Sequence, residues 1–128
     1  MSEHNVYLGL GGNLSNPVEQ LKVALKSIDS LPNTELLKTS SFYASKPQGP
    51  QDQPDFVNAV CLIKTTMEPY VLLEALQRIE LEQGKIKKRH WGERLIDLDI
   101  LLYDQLQIAT QQLTLPHAYM HQRDFVLV

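Results

Sequence analysis

The chain has 128 residues, of which 43% are hydrophobic and 21% charged, and its formal net charge at pH 7 is −3. This composition is typical of a globular protein, so we expect a single domain over residues 1–128. The acidic balance gives no general reason to expect binding to nucleic acid or to a membrane surface. No stretch approaches the roughly 18 consecutive apolar residues of a membrane-spanning helix, and the N-terminus lacks a signal-peptide pattern.

In the first half of the chain, NVYLGL (5–10) predicts a strand, which a GGNLSN turn connects to a helix over 17–30. Pro17 suits the first turn of that helix, and Asn16 or Ser15 is its predicted N-cap. Apolar residues recur at helical spacing on its expected buried face, at Val18, Leu21, Ala24, Leu25 and Ile28. The next segments predict a long strand over 34–46 and a proline-rich loop over 46–55.

In the second half, 56–66 predicts a third strand and contains the only cysteine, Cys61. We expect this thiol to be buried and inert, and a lone cysteine favours a reducing compartment and a cytoplasmic location. A second helix begins at Pro69 and ends before Gly84. Its expected buried face carries Leu72, Ala75, Leu76 and Ile79. A basic loop over 84–94 precedes a fourth strand over 95–103, and residues 104–128 close the chain.

The predicted order is therefore β-α-β-β-α-β with small additions at the C-terminus. This is the ferredoxin-like α+β pattern, an antiparallel sheet with two helices packed on one face. The other face of the sheet is then available for a functional site.

Two aspartates, Asp97 and Asp99, lie inside the otherwise apolar fourth strand, in the stretch GERLIDLDILLY. Side chains alternate along a strand, so the two carboxylates point to the same side, with Cα atoms ~6.5–7 Å apart. The predicted core stripe on the opposite side comprises Ile96, Leu98, Ile100 and Leu102, and the predicted aspartate side comprises Leu95, Asp97, Asp99, Leu101 and Tyr103. Two negative charges this close repel, so a proton, basic side chains or a metal ion must neutralise them.

The basic loop directly before the aspartates suggests a polyphosphate site. Five of the 12 Lys and Arg residues fall within ten residues, at Lys85, Lys87, Lys88, Arg89 and Arg94. Carboxylates suit Mg²⁺, which can bridge phosphate oxygens while Arg or Lys balances the remaining charge. The residues alone leave two alternatives open, because such a run is often only a solvated surface and a salt bridge from an aspartate to Arg89 or Arg94 is as plausible as a metal.

Two further patterns are weaker. GLGGNL (9–14) lies between a strand and a helix, but it lacks the spacing of a phosphate-binding loop, so we interpret its glycines as serving a tight turn. Aromatic residues also occur in polar contexts, such as Phe56, two residues before Asn58, and Trp91 in the basic loop. Most aromatic residues belong to a core, but aromatics that flank an amide such as that of Asn58 would suit a planar heterocycle that hydrogen-bonds along its edge.

HWGERLIDLDIL (90–101) resembles the signature of the 6-hydroxymethyl-7,8-dihydropterin pyrophosphokinases of folate biosynthesis. That signature has a basic residue, any residue, Gly, a small or acidic residue and Arg, then two free positions, D-L-D and two aliphatic residues. Three other stretches look like the same family, namely YLGLGGNLSNP, SSFYASKPQGPQDQPDFVNAV and LTLPHAYMHQRDFVL. The resemblance covers nearly the whole chain and implies the ferredoxin-like fold.

In that family a pyrophosphoryl group moves from ATP to the hydroxymethyl oxygen of the pterin, and AMP is released. The resemblance implies that Asp97 and Asp99 bind two Mg²⁺ ions and that Arg94 joins them as a catalytic residue. The implied ATP-binding residues are Gln77, Glu80, Lys85, Lys87, Trp91, Arg94, Ile100, Thr114, His117 and Arg123. The implied pterin-binding residues are Ser45, Lys46, Gln48, Phe56, Asn58, Trp91, Asp97 and Phe125.

The expected partners are ATP and a reduced pterin, bound by a monomer. The family usually continues past FVLV, so we expect this chain to be short at its C-terminus. Two rival functions fit the residues. A two-metal nucleotidyltransferase would release pyrophosphate in place of AMP, and a non-catalytic binding module would keep the aspartates only salt-bridged.

Overall fold

The structure, a computed structural model, describes residues 2–47, 52–84 and 95–116. Its elements in chain order are β1 (His4–Gly12), α1 (Pro17–Asp29), β2 (Thr34–Thr39), β3 (Tyr43–Ser45), β4 (Phe56–Thr65), α2 (Pro69–Gln83), β5 (Asp97–Tyr103), β6 (Ile108–Ala109) and β7 (Thr114–Leu115).

The main sheet is antiparallel and has the strand order β2-β4-β1-β5, with β3 also paired to β4. Strands β6 and β7 form a separate two-stranded sheet. The two helices pack on one face of the main sheet, so the predicted βαββαβ order with C-terminal additions is confirmed. Within the described residues, no helix is long and apolar enough to cross a membrane.

One hydrophobic core lies between the helices and the sheet. Alternate residues of each strand face the helices, which is the pattern of a sheet covered on one side. Its buried members include Val6, Leu8, Leu10, Leu21, Ala24, Ile28, Ala59, Cys61, Ile63, Leu72, Leu76, Ile79, Leu98, Ile100 and Tyr103. Burial raises the pKa of Cys61 to about 12, so the predicted buried and inert thiol is confirmed.

The start of α1 departs from the sequence expectation, whereas the end of α2 agrees with it. Asn16 is the N-cap of α1, but it has φ 62° and its side chain makes no capping hydrogen bond, and Val18 is exposed although we expected it to be buried. At the end of α2, Gly84 has φ 91° and its N–H bonds the carbonyl of Leu81. Glycine adopts this left-handed conformation without a Cβ penalty, so the predicted stop is confirmed.

The strand predicted over 34–46 is in fact two strands, β2 and β3, which both pair with β4. At the break, the Ser40 N–H donates to the carbonyl of Val60 while the Ser40 hydroxyl accepts from the Val60 N–H. A serine hydroxyl can replace a backbone carbonyl in this way. Pairing with β4 therefore resumes at Tyr43 after a short interruption.

Strand β5 also departs from strict alternation. Tyr7 pairs with Leu102 whereas Leu8 pairs with Ile100, which leaves Leu101 as an extra residue in a β-bulge. The bulge reverses the alternation, so Tyr103 is buried in the core and Leu102 is not, contrary to the predicted faces. The hydroxyl of Tyr103 donates to the carbonyl of Met67.

The far ends of β1 and β5 are joined by a polar contact between His4 and Asp104. Nδ1 of His4 lies 2.7 Å from one carboxylate oxygen of Asp104, and the N–H of Asn5 donates to the other at 2.8 Å. Partial desolvation opposes ionisation of Asp104, but these hydrogen bonds and the charge of His4 outweigh it and lower the pKa of Asp104 below 3.8. Asp104 also has φ 48°, a conformation that Asp and Asn tolerate better than most residues.

We predict that Asp104→Ala lowers the free energy of unfolding at pH 7 by about 1–2 kcal/mol, because it removes two hydrogen bonds and strains a left-handed residue. Asp104→Asn, which keeps an acceptor and tolerates the same φ, should lose less. Urea denaturation at a series of pH values measures both losses.

The lowered pKa fixes the sign of the pH dependence of this contribution. The ionised Asp104 stabilises the fold above its ordinary pKa of 3.8, and this contribution disappears as the pH falls through the lowered value. The difference in stability between the wild type and Asp104→Asn should therefore shrink below pH 4. A difference that stays constant down to pH 2 would contradict a role for the charge.

Candidate active site

Three neighbouring strands bring Asp97, Gly11 and Asn58 into one row. Gly11 pairs with Asn58 on one side and with Asp97 on the other, and Gly9 likewise pairs with Val60 and Asp99. All lie on the sheet face opposite the helices, which we call the glycine face. Adjacent strands are ~4.8 Å apart, so the Cα atoms of Asn58 and Asp97 are separated by about 10 Å.

The glycines of GLGGNL lie in β1, not in a turn as we interpreted them. On the glycine face, the absence of a side chain at Gly9 and Gly11 leaves room for the side chains of Leu101 and Asn58. A Cβ on Gly11 would lie 3.0 Å from Oδ1 of Asn58, and one on Gly9 would lie 3.3 Å from the side chain of Leu101, the bulged residue. The strand-to-helix turn is instead made by Ser15 and Asn16, both with positive φ.

Asp97 and Asp99 are half-buried, and both point to the glycine face, as alternation predicts. Within the described ranges, no group of three or more His, Cys, Asp or Glu residues is arranged to hold a metal ion. A pair of carboxylates fits Mg²⁺ better than it fits zinc, because Mg²⁺ takes oxygen ligands and is usually held by one or two carboxylates together with phosphate oxygens and water.

At the other end of the row, the amide of Asn58 is buried and held in place. Its Nδ2 donates to the hydroxyl of Ser45 at 2.6 Å and to the carbonyl of Tyr43 at 3.4 Å. Both partners belong to β3, the short strand that forms after the break at Ser40. The interruption in the predicted long strand therefore supplies the two groups that orient this amide.

A second buried amide was missed by sequence reasoning. Nδ2 of Asn13 donates to Oε1 of Gln53 and to the carbonyl of Pro54, both at 2.9 Å. Asn13 and Gln53 are both buried, and together they fix the segment before β4 against the end of β1. The only sequence signal was an asparagine directly after the glycines, which we assigned to the turn.

The described residues that the resemblance implies fall into two groups. Ser45, Phe56, Asn58, Asp97 and Asp99 come together on or beside the glycine face, with Phe56 half-buried at the start of β4. Lys46 follows β3 and is exposed.

The other group comprises residues of β5, α2 and β7. Glu80 is buried and contacts the backbone of β5, and Thr114 is exposed in β7, which packs against β5. Ile100 points its side chain into the core, and Gln77 is exposed on α2. The remaining implied residues lie outside the described residues, and they are Gln48, Lys85, Lys87, Trp91, Arg94, His117, Arg123 and Phe125.

Comparison with known proteins gives a consistent result. Residues 7–128 match the family described as 7,8-dihydro-6-hydroxymethylpterin-pyrophosphokinase. A protein of Haemophilus influenzae named 2-amino-4-hydroxy-6-hydroxymethyldihydropteridine pyrophosphokinase is 60% identical over 122 residues, which cover 95% of this chain and 76% of the relative. Proteins with the same name from Pseudomonas aeruginosa and Pseudomonas putida are 48% and 43% identical, over 95% and 90% of this chain and 75% and 95% of their own lengths.

We predict that Gly11→Ala displaces the amide of Asn58, because the new methyl group would lie 3.0 Å from Oδ1. Gly9→Ala is the matched control, since its methyl group meets only the adaptable end of the Leu101 side chain. Each substitution should cost about 1–3 kcal/mol of stability as overpacking. In ¹⁵N-resolved NMR spectra, the side-chain amide signals of Asn58 should shift in the Gly11 variant and stay near their wild-type positions in the Gly9 variant. Unchanged Asn58 signals in both variants would contradict this arrangement.

Proposed function

The chain belongs to the 7,8-dihydro-6-hydroxymethylpterin-pyrophosphokinase family, and we propose that its glycine face carries the reaction of that family. The protein is a transferase of folate biosynthesis that moves pyrophosphate from ATP to the hydroxymethyl group of 6-hydroxymethyl-7,8-dihydropterin, giving the pterin diphosphate and AMP. The observation that carries this conclusion is the 60% identity, over 95% of the chain, to a relative with that name.

We assign Asp97 and Asp99 to the binding of Mg²⁺, two ions together with ATP. Their support is the shared face, the half-buried positions and the all-oxygen donor set. When bound, the metal neutralises charge on the phosphate oxygens. The role of the chain itself is to hold both carboxylates at a fixed spacing on an extended strand.

We assign the other end of the row to the pterin. Asn58 offers an amide whose orientation is fixed by Ser45 and Tyr43, which suits recognition of the polar edge of a planar ring. Phe56 lies on the same face and offers an aromatic surface for stacking. We place the fused two-ring heterocycle along this row, between the amide of Asn58 and the carboxylates.

This arrangement fits a transfer that depends on alignment more than on a protein nucleophile. Phosphoryl-type transfer gains most from positioning and charge stabilisation. In the described part of the chain, the one thiol, Cys61, faces the core and is not ionised near neutral pH. The residues of the glycine face would therefore bind and orient the two substrates with the hydroxymethyl oxygen directed toward the aspartate side.

The substrates, the oligomeric state and the cellular location complete the proposal. ATP and a reduced pterin are the substrates, and we keep the monomer and the cytoplasmic location as predictions. The nucleotidyltransferase and binding-module alternatives have no support from the relatives, which carry the pyrophosphokinase name.

We predict that Asp97→Asn and Asp99→Asn each lower AMP formation at least a hundredfold while the protein stays folded, because each removes a charged ligand of the metal. The assay combines chain, Mg²⁺, ATP and pterin and separates AMP, ADP and pyrophosphate by chromatography. Glu74→Gln, on the exposed side of α2, is the control. AMP should require both pterin and Mg²⁺, and near-normal turnover by either aspartate variant would remove the metal assignment.

We predict that Asn58→Ala raises KM for the pterin by about tenfold or more and leaves KM for ATP within a factor of two, since a lost directional hydrogen bond in a buried site costs about 1–3 kcal/mol. Ser45→Ala should have a smaller effect of the same kind, because the carbonyl of Tyr43 still holds the amide. Steady-state kinetics with each substrate varied separately measure both. An equal rise in both KM values would argue against a pterin-specific role for Asn58.

A further inference from the structure

Glu80 carries a buried carboxylate that is bonded to the backbone between the two aspartates. The residue is 7% exposed, although charged residues are rarely buried without a specific partner. Its Oε2 accepts a hydrogen bond from the N–H of Leu98 at 2.7 Å. A carboxylate acceptor makes this bond short and stronger than a neutral one.

The position of Leu98 in the sheet explains why its N–H is available. Among the described strands, β5 lies at the edge of the sheet and has only β1 as its neighbour. Leu98 pairs with Leu10, between the pairs that Asp97 and Asp99 form with Gly11 and Gly9. Backbone N–H groups along an antiparallel strand point alternately toward and away from the neighbouring strand. The Leu98 N–H points outward, to the side from which Glu80 approaches.

This hydrogen bond constrains the directions of both carboxylates. The N–H belongs to the peptide plane that joins Asp97 to Leu98, and the orientation of that plane sets ψ of Asp97 and φ of Leu98. With β1 holding one side of the strand and Glu80 the other, the backbone at the D-L-D residues is fixed from two directions. We infer that Glu80 is a positioning residue, which sets the geometry of the Asp97 and Asp99 pair through the Leu98 amide.

The helix gives Glu80 a rigid base. Its neighbours Leu76 and Ile79 are buried in the core, so the turn of α2 that carries Glu80 is anchored against the sheet. The bond spans residues 80 and 98 and ties the last turns of α2 directly to the strand with the aspartates. Partners that orient metal ligands in this way typically change metal affinity or activity 10–100-fold when they are altered.

Direct contact with ATP, which the family resemblance implies for Glu80, makes a different prediction. A residue that touches the nucleotide contributes to binding with or without metal. A residue that positions the aspartates contributes only when Mg²⁺ is bound with the ATP. The inference rests on the proposed function for its metal and substrate, but the hydrogen bond itself can be measured without either.

Two conservative substitutions separate the hydrogen bond from the charge. Glu80→Gln keeps an acceptor of the same reach without the charge, whereas Glu80→Asp keeps the charge but is one methylene too short to reach Leu98. Glu82→Gln, on the exposed side of the same helix, is the control. Far-UV circular dichroism and the unfolding midpoint show whether each variant is folded at the assay temperature.

The measurements are amide hydrogen exchange at Leu98 in the metal-free protein, calorimetric affinity for ATP with and without Mg²⁺, and kcat and KM for each substrate. We expect Glu80→Gln to stay within about threefold of the wild type in all of them. Glu80→Asp should speed Leu98 exchange and weaken Mg²⁺-dependent ATP binding about tenfold or more. It should also lower kcat while leaving KM for the pterin unchanged.

Several results would overturn the inference. Fast amide exchange at Leu98 in the wild type would show that the hydrogen bond is absent. Wild-type ATP affinity and kcat in Glu80→Asp, or equal losses in the Gln and Asp variants, would show that the reach of the side chain does not matter. A loss of ATP affinity that is as large without Mg²⁺ as with it would indicate direct contact with ATP. The wild-type exchange measurement remains decisive if the Asp variant does not fold. Failure of the wild type to form AMP would instead refute the proposed function, and the exchange data would still test the link between Glu80 and Leu98.

Discussion

The structure depends on the requirement that one face of the sheet be buried under two helices. A strand directs alternate side chains to opposite faces of the sheet. When one residue of a strand packs in the core, the next residue therefore points to the other face. In β5 the apolar positions Leu98 and Ile100 are buried, so Asp97 and Asp99 must share the opposite face. The spacing of the carboxylates is thus a consequence of how the core is packed.

The same constraint explains the glycines of β1. As an interior strand, β1 has a neighbour on each side, and its core-facing residues Val6, Leu8 and Leu10 are large. Gly9 and Gly11 fall on the other face, between the asparagine strand and the aspartate strand. Larger residues there would collide with the side chains of Leu101 and Asn58. Glycine weakens a strand, so its presence at alternate positions indicates a use for the space.

Local patterns in the sequence predicted the order of elements, because their signals are local. The helix ends are marked by Pro17, Pro69 and Gly84. Their backbone preferences act locally and do not depend on residues far along the chain. The D-L-D pattern predicted which side the aspartates face, because Leu98 and Ile100 form a clear apolar stripe. The family signature added the reaction, which no periodicity could supply.

What the sequence did not predict depends on partners far along the chain. The bulge at Leu101 appears only when β5 is aligned with β1, and the break at Ser40 only when its hydroxyl meets Val60. The family resemblance implied Glu80 only as an ATP-binding residue, and its hydrogen bond to the backbone of Leu98 appears only in the fold. The burial of Asn13 likewise depends on partners 40 and 41 residues further along the chain, Gln53 and Pro54 of the proline-rich segment.

The strand order has a consequence for the order in which the protein can form during synthesis. The interior strand β1 is made before the other strands, yet its neighbours β4 and β5 are made much later, and the aspartates lie on the last strand of the main sheet. Closing such long loops costs conformational entropy, and the contacts that compensate for this cost form only after the distant strands have paired. A nascent chain that stops before β5 can bury part of the helix-covered core but carries neither carboxylate, so both ligands of the proposed metal site are added only with this last strand.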